Sequence, residues 1–276
     1  MNFVQKLRQI IEERGSLCIG LDPVAAKIPV HLGQGVPAVR RFLETILKET
    51  AGLVAAYKPN IAFFEAMGIE GLKMLVGLRE LCPEGSLWLL DAKRGDIGST
   101  SQAYATAVFQ VFGADAVTVN PYLGKDAVAP FLTDPSRGVF LLCRTSNPGA
   151  ADFQSWGTPS LFLRVAEVAK SWNENSNVGL VVGATMPEEL KEVRKVAPEL
   201  PLLIPGIGAQ GGKLEDVVEA ALISPPGLAL ISMSRSVLYA SSDKDFGVKA
   251  REEAFRVQQQ IQSILRVDYR ESTPQK

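Results

Sequence analysis

The stretch Val178–Pro205, VGLVVGATMPEELKEVRKVAPELPLLIP, decides the fold. It opens on a short apolar, β-branched run (Val178–Gly183). It then crosses a polar segment in which Leu190, Val193, Val196 and Ala197 recur at helical spacing, and closes on a second apolar run (Leu202–Pro205). Short apolar runs bounded by Gly and Pro have strand length, whereas the segment between them has helix length and helix period. Two strands joined by a crossover helix lie parallel in one sheet.

Outward from this unit the same pattern fills the chain. Strand-like runs occur at Leu17–Leu21, Ala55–Pro59, Leu87–Asp91, Ala116–Asn120, Val139–Arg144 and Leu228–Ser232, which with the two above makes eight. Helical stripes lie between them: Val39, Phe42, Leu43, Ile46 and Leu47 in one, Leu214, Val217, Val218, Ala221 and Leu222 in another. The strands are almost continuously apolar, as expected when both faces of a parallel sheet are covered. Strict alternation permits a doubly wound open sheet or a closed barrel. Eight units without a composition break favour an α/β chain folded as one (β/α)8 TIM barrel over residues 1–276, with an extra N-terminal helix and a tail after about residue 268.

Composition narrows function mainly by exclusion. A formal net charge of −1 leaves no basic footprint for nucleic acid or an anionic membrane. No apolar run approaches the roughly 20 residues that span a bilayer. The N-terminus, MNFVQKLRQIIEERG, is charged throughout and reads as an amphipathic helix, not a signal peptide. Cys18, Cys82 and Cys143 are scattered and odd in number, which fits buried thiols in a reducing cytoplasm. His31 is the only histidine, so no two-histidine metal site exists within the chain, and its Pro- and Gly-bearing surroundings suggest a surface loop. Acid–base work falls to carboxylates and lysines, and no cofactor or metal is expected.

Polar residues past the C-terminal strand ends of a barrel face its active site. Here they cluster: Asp22 after the first strand, Lys58 and Asn60 at the second, DAKRGD at the third, Asn120 at the fourth, and Thr145, Ser146 and Asn147 at the fifth. Asp91 and Lys93, two residues apart, point to one side of an extended backbone, with Asp96 beyond them. An isolated charge run of this kind is usually a solvated turn; its place beside Asp22 and Lys58 points instead to a site. A lysine held cationic beside fixed negative charge suits a reaction that leaves a carbanion after loss of CO2. Asp91 would crowd the departing carboxylate and Lys93 would protonate the carbon. After the seventh strand comes PGIGAQGG (Pro205–Gly212), and after the eighth SMSRS (Ser232–Ser236). Loops after strands 7 and 8 are where barrels commonly bind phosphate, here with Gly206, Gly208, Gly211 and Gly212 for close backbone approach and Arg235 as the cation.

Together these motifs resemble the orotidine 5′-phosphate decarboxylase family, in its longer bacterial form: LDP at Leu21–Pro23, KPN at Lys58–Asn60, LDAKRGDIGST at Leu90–Thr100, TSNPGA at Thr145–Ala150, PGIGAQGG, and SRS around Arg235. The resemblance implies conversion of orotidine 5′-phosphate to UMP and CO2 in pyrimidine biosynthesis, by a cytoplasmic homodimer with shared sites. It implies that Asp22 and Lys58 bind ribose hydroxyls, Asp91 presses on the substrate carboxylate and Lys93 donates a proton to C6. Asp96 and Thr100 reach the partner's site, and Ser146 meets the pyrimidine edge. Pro205, Gln210, Gly211, Gly212 and Arg235 hold the base region and phosphate. Two departures stand out. A tyrosine often near the phosphate arginine has no match, with Leu238 at its place and Tyr239 after it, and the segment 148–158 is long.

Three rivals remain. Related sugar-phosphate enzymes share Asp-x-Lys-x-x-Asp but use Mg2+ and a further acidic ligand where this second strand supplies Lys58. A Schiff-base aldolase needs a neutral lysine, which acidic neighbours oppose. A barrel that only binds nucleotides cannot be told apart by fold.

Overall fold

The computed structural model describes residues 1–207, 211–223 and 227–271. In chain order the elements are α1 (Phe3–Arg14), β1 (Leu17–Leu21), α2 (Gly35–Glu49), β2 (Ala56–Pro59), α3 (Ile61–Glu65), α4 (Gly68–Glu80), β3 (Leu87–Arg94), α5 (Gly98–Thr106) and β4 (Ala116–Val119). They continue with α6 (Lys125–Leu132), β5 (Gly138–Arg144), α7 (Leu161–Trp172), β6 (Val178–Val182), α8 (Pro187–Val196), β7 (Leu202–Ile204), α9 (Leu214–Val218), β8 (Ala229–Met233), α10 (Arg235–Leu238) and α11 (Phe246–Glu271). The eight parallel strands close in sequence order, β1 pairing with both β2 and β8. This is the (β/α)8 barrel expected from the sequence, with strand limits within a few residues of the runs given above. Most of the expected C-terminal tail lies outside the described residues.

Two apolar layers explain the continuous strand hydrophobicity. One set of strand side chains, including Ile19, Tyr57, Trp88, Leu90 and Val117, packs outward beneath the helices. The alternate set, including Cys18, Ala56, Leu89, Phe140 and Leu203, fills the barrel. α1 closes the lower end. Its start is fixed by a reciprocal cap, Asn2 Oδ1 accepting from Gln5 N–H and Gln5 Oε1 from Asn2 N–H. That aims Phe3, Leu7 and Ile10 into the inner core, with Phe3 edge-on to Phe140 at 5.9 Å. A Cβ at Gly138 would come within 2.4 Å of the Phe3 ring, so only glycine at the head of β5 admits this plug. The lower end is therefore packed shut, and the opposite, C-terminal end is left to chemistry.

The single histidine, His31, is exposed in a 3-10 turn (Val30–Leu32), as its loop context suggested. The three cysteines are free; Cys18 and Cys143 are buried and Cys82 is half-buried. Burial pushes the Cys18 and Cys143 thiols up to about 12 and Cys82 up to about 11, so none is a ready nucleophile. No helix among the described residues is long and apolar enough to cross a membrane.

Candidate active site

Asp91 is the hub of the upper end. It lies on β3 and is 9% exposed. Its Oδ2 accepts from Lys58 Nζ of β2 at 3.0 Å, and its Oδ1 accepts from Lys93 Nζ at 2.6 Å and from the Thr118 hydroxyl of β4 at 2.9 Å. Three adjacent strands thus converge on one carboxylate. Burial alone would raise the Asp91 carboxyl, but the ammonium groups of Lys58 and Lys93 outweigh it and hold the group well below the usual carboxylate range. Burial of Lys58 likewise favours its neutral form, and the charges of Asp91 and Asp22 overcome that and raise it. Lys58 is therefore a fixed cation, and Asp91 a carboxylate that stays ionised.

Lys93 meets Asp91 by a route different from the simple pleat read in the sequence. The β3–β4 register shifts between Leu90 and Arg94, and Lys93 has φ 46°, the left-handed region. A non-glycine residue there carries strain that its surroundings must hold. Thr118 holds it: its Oγ1 accepts the Lys93 N–H at 3.0 Å while donating to Asp91. Arg94 adds a second grip, bonding Glu65 at 2.8 Å and lying over the Tyr104 ring. The bulge leaves Lys93 half exposed, free to face a bound molecule and to exchange protons with water. Thr118 was missed at the sequence level, since one threonine inside an apolar strand carries no signal of its own.

Asp22 follows β1 and is half-buried, and its Oδ1 is buried with no hydrogen-bond partner among the described residues. An orphaned acceptor at the mouth of a barrel marks a place for a donor from outside the chain. Asp22, Lys58, Pro205, Gly206, Ser232 and Arg235 share a cavity of about 360 Å³, so Lys58, bonded to Asp91, opens onto the same space as the β7 and β8 loops. Phe63 also lines it, whereas Tyr57 turns to the opposite side and bonds Thr50 at 2.9 Å. Arg235 is exposed at the start of α10. Gly206 and Gly211 have φ of 104° and 93°, a backbone that other residues rarely adopt. Gly212 follows, bridged to Ile207; Gly208 and Gln210 lie outside the described residues. Tyr239, which follows the position of the tyrosine absent here, uses its hydroxyl within the chain. Its hydroxyl accepts from Val24 N–H at 2.7 Å and donates to Asp22 O at 3.1 Å, tying α10 to the turn that carries Asp22.

Two expected site residues stand apart within one chain. Asp96 forms no ion pair among the described residues; its Oδ1 accepts from the Ile97 N–H at 2.8 Å, at the entrance of α5. Thr100, in the first turn of α5, is exposed. Ser146 is half-buried after β5, packed against Gly183 at the end of β6. No group of three or more His, Cys, Asp or Glu side chains among the described residues is placed to hold a metal ion.

The model of the orotidine 5′-phosphate decarboxylase / HUMPS family matches residues 15–248. The chain belongs to this family. Among its members, an orotidine 5′-phosphate decarboxylase of Roseiflexus sp. is 51% identical over 257 residues, covering 91% of this chain and 94% of that protein. One of Herpetosiphon aurantiacus is 49% identical over 266 residues, covering 94% and 98%. The solved OMP decarboxylase of Leishmania donovani superposes with a TM-score of 0.85 at 39% identity, covering 96% of this chain and 99% of that one. The family therefore extends across the whole barrel and includes every strand end that builds the cavity.

Proposed function

We propose that the chain converts orotidine 5′-phosphate to UMP and CO2, in pyrimidine biosynthesis, without a metal or other cofactor. One observation carries the reading: a buried, ionised carboxylate bonded to two lysines, one of which, Lys58, lines a single cavity together with Asp22, Gly206 and Arg235. The substrate's phosphate would lie against the backbone around Gly211 and Gly212, with Gln210 and Arg235, and the ribose hydroxyls would satisfy Asp22 Oδ1 and meet Lys58. This places the pyrimidine carboxylate against Asp91. Because Asp91 stays ionised, the two carboxylates cannot relieve their crowding by sharing a proton. Breaking the bond from C6 to the carboxylate leaves its electron pair on C6 and releases neutral CO2, so the negative charge moves from the crowded carboxylate to C6. Lys93 Nζ then gives a proton to C6, and the half-exposed amine regains one from water.

The same reading assigns Asp96 and Thr100 to the site of a second subunit. It is supported by their position, outside their own chain's charge array yet on the same face of the barrel. Ile97 between them is 58% exposed and nearby Tyr122 81% exposed, apolar surface that a partner copy would cover. A cytoplasmic location accords with the free thiols.

The test is loss of orotidine 5′-phosphate absorbance on adding the purified chain, with EDTA present throughout. Full turnover is expected. Activity that vanishes in EDTA and returns with Mg2+ would favour the sugar-phosphate branch, and UMP binding without turnover would leave only a nucleotide-binding barrel. For the shared site, mixing the Lys93→Ala and Asp96→Ala proteins should restore activity, since a hybrid dimer holds one site with both defects and one with neither. No recovery, with subunit exchange shown separately, would return Asp96 to its own subunit.

A further inference from the structure

From 151 to 159 every residue is exposed except Gln154, although the segment contains Phe153 and Trp156, at 71% and 78% exposure. A polar residue turned inward from beneath two exposed aromatic neighbours needs a reason. Gln154 Oε1 accepts from Thr145 N–H at 2.8 Å, and its Nε2 donates to Thr145 Oγ1 at 2.9 Å. The orientation of the amide is fixed by chemistry, because a backbone N–H can only donate and must face the oxygen. The Thr145 hydroxyl in turn donates to Asn147 Oδ1 at 2.6 Å, which leaves its lone pair for Gln154.

The other side of Thr145 is held as firmly. Its carbonyl accepts from Arg144 Nη1 at 3.0 Å, and Arg144, only 7% exposed, is itself paired with Glu189 in the first turn of α8. Both peptide groups of Thr145 are thereby fixed, and the next residue is Ser146. A Cβ at Gly183 would stand 2.8 Å from Ser146 Cβ and 2.9 Å from its nitrogen, so Ser146 also packs directly on the end of β6. The long 148–158 segment therefore supplies a two-point clamp on Thr145, one bond to its backbone N–H and one to its hydroxyl, directly before Ser146.

We propose that Gln154 is a positioning residue for recognition of the pyrimidine, acting through Thr145 to hold Ser146; the inference rests on the reading above that Ser146 meets the pyrimidine edge. It gives the long segment a role in specificity for the base, separate from the grip on phosphate. The ligands that distinguish these are UMP, which has a base, and ribose 5-phosphate, which lacks one but keeps the ribose and phosphate contacts.

Binding of both should be measured calorimetrically for the full chain and for Gln154→Ala, Gln154→Glu and Ser146→Ala, with folding checked by thermal melting. Gln154→Ala should raise the Kd for UMP about tenfold, the loss of one well-placed hydrogen bond, while the Kd for ribose 5-phosphate stays within about twofold. Gln154→Glu keeps the acceptor for Thr145 N–H and should recover most of the UMP affinity. Combining Gln154→Ala with Ser146→Ala should add little to Ser146→Ala alone, because both act on one contact. Equal weakening of both ligands by Gln154→Ala would show a general structural role, and no weakening would show none; either overturns the proposal. If Ser146→Ala selectively weakens UMP and Gln154→Ala does not, only the role of Gln154 falls. If Ser146→Ala itself leaves UMP affinity unchanged, the assignment of Ser146 fails and the inference with it.

Discussion

Asp91 and Asp115 are two buried carboxylates set among cations at opposite ends of the same barrel, and their partners differ in kind. Asp115, just before β4, accepts from Trp88 N–H and Lys6 Nζ at 2.9 Å and from Arg79 at 3.2 Å, with Arg137 at 3.8 Å. Those cations arrive on long side chains from α1, α4 and the turn before β5, with their side chains 41%, 32% and 30% exposed. They fasten the helical plug and the outer layer to the sheet. Asp91 takes its partners from neighbouring strands and from its own and, among the described residues, ties no helix down. One of them, Lys58, is only 7% exposed, and the other, Lys93, turns toward the open mouth. The same chemistry thus serves cohesion at the lower end and, in the function proposed above, reactivity at the upper one, as expected where barrel loops at the C-terminal end are freed from holding the fold.

This contrast is open to direct attack. The largest effect should come from Lys93→Ala, which removes the proposed proton donor. A fall in kcat of about ten-thousand-fold is expected, with UMP still bound and the melting temperature nearly unchanged. A folded variant with near-normal kcat would end the assignment. Next, Arg235→Ala should lower kcat/KM for orotidine 5′-phosphate by about a thousand-fold yet barely alter turnover of the phosphate-free nucleoside orotidine, since remote binding energy is spent at the reacting carbon. Equal losses for both substrates would make the arginine structural.

At the lower end, Asp115→Ala should do the reverse. It strands the Trp88 N–H but frees cations that can reach water, so a cost of about 2–3 kcal/mol in urea unfolding is expected, with kcat of the folded fraction unchanged. A specific loss of kcat would erase the distinction between the two ends. The smallest effect is one of pH. Asp91 titrates lower in the folded chain than unfolded, so it stabilises the fold at neutral pH. That contribution is lost as pH falls below its unfolded value of about 4 toward the depressed folded one. The stability gap between the wild type and Asp91→Asn should be flat from about pH 8 to 5 and shrink below about pH 4. A gap that persists unchanged at about pH 3 would mean that Asp91 does not carry the charge balance described here.

The barrel was legible in the sequence because both strand faces are buried, which makes each strand a compact apolar run, and because the helices between them keep their period. The strand ends were legible too: Asp22, Lys58, Asp91, Lys93 and Arg235 are charges placed where apolar runs stop. Thr118, Tyr239, Gln154 and Asp115 were not. Each does its work through a partner distant in sequence, such as Tyr239 on Asp22 and Val24, or Asp115 on Lys6. No local pattern distinguishes such a residue from an ordinary strand or loop residue.

The sequence by itself determined the alternation of strands and helices and the charged groups available at the strand ends, since periodicity and charge are properties of neighbouring residues. Only the tertiary structure decided that the Lys93 ammonium reaches Asp91 from a left-handed bulge pinned by Thr118, and that Asp96 forms no ion pair among the described residues but accepts from the Ile97 N–H. It alone turned Gln154 inward onto Thr145. The physical reason is that such geometry is set by which strands become neighbours when the barrel closes, and by hydrogen bonds between residues that closure brings within about 3 Å.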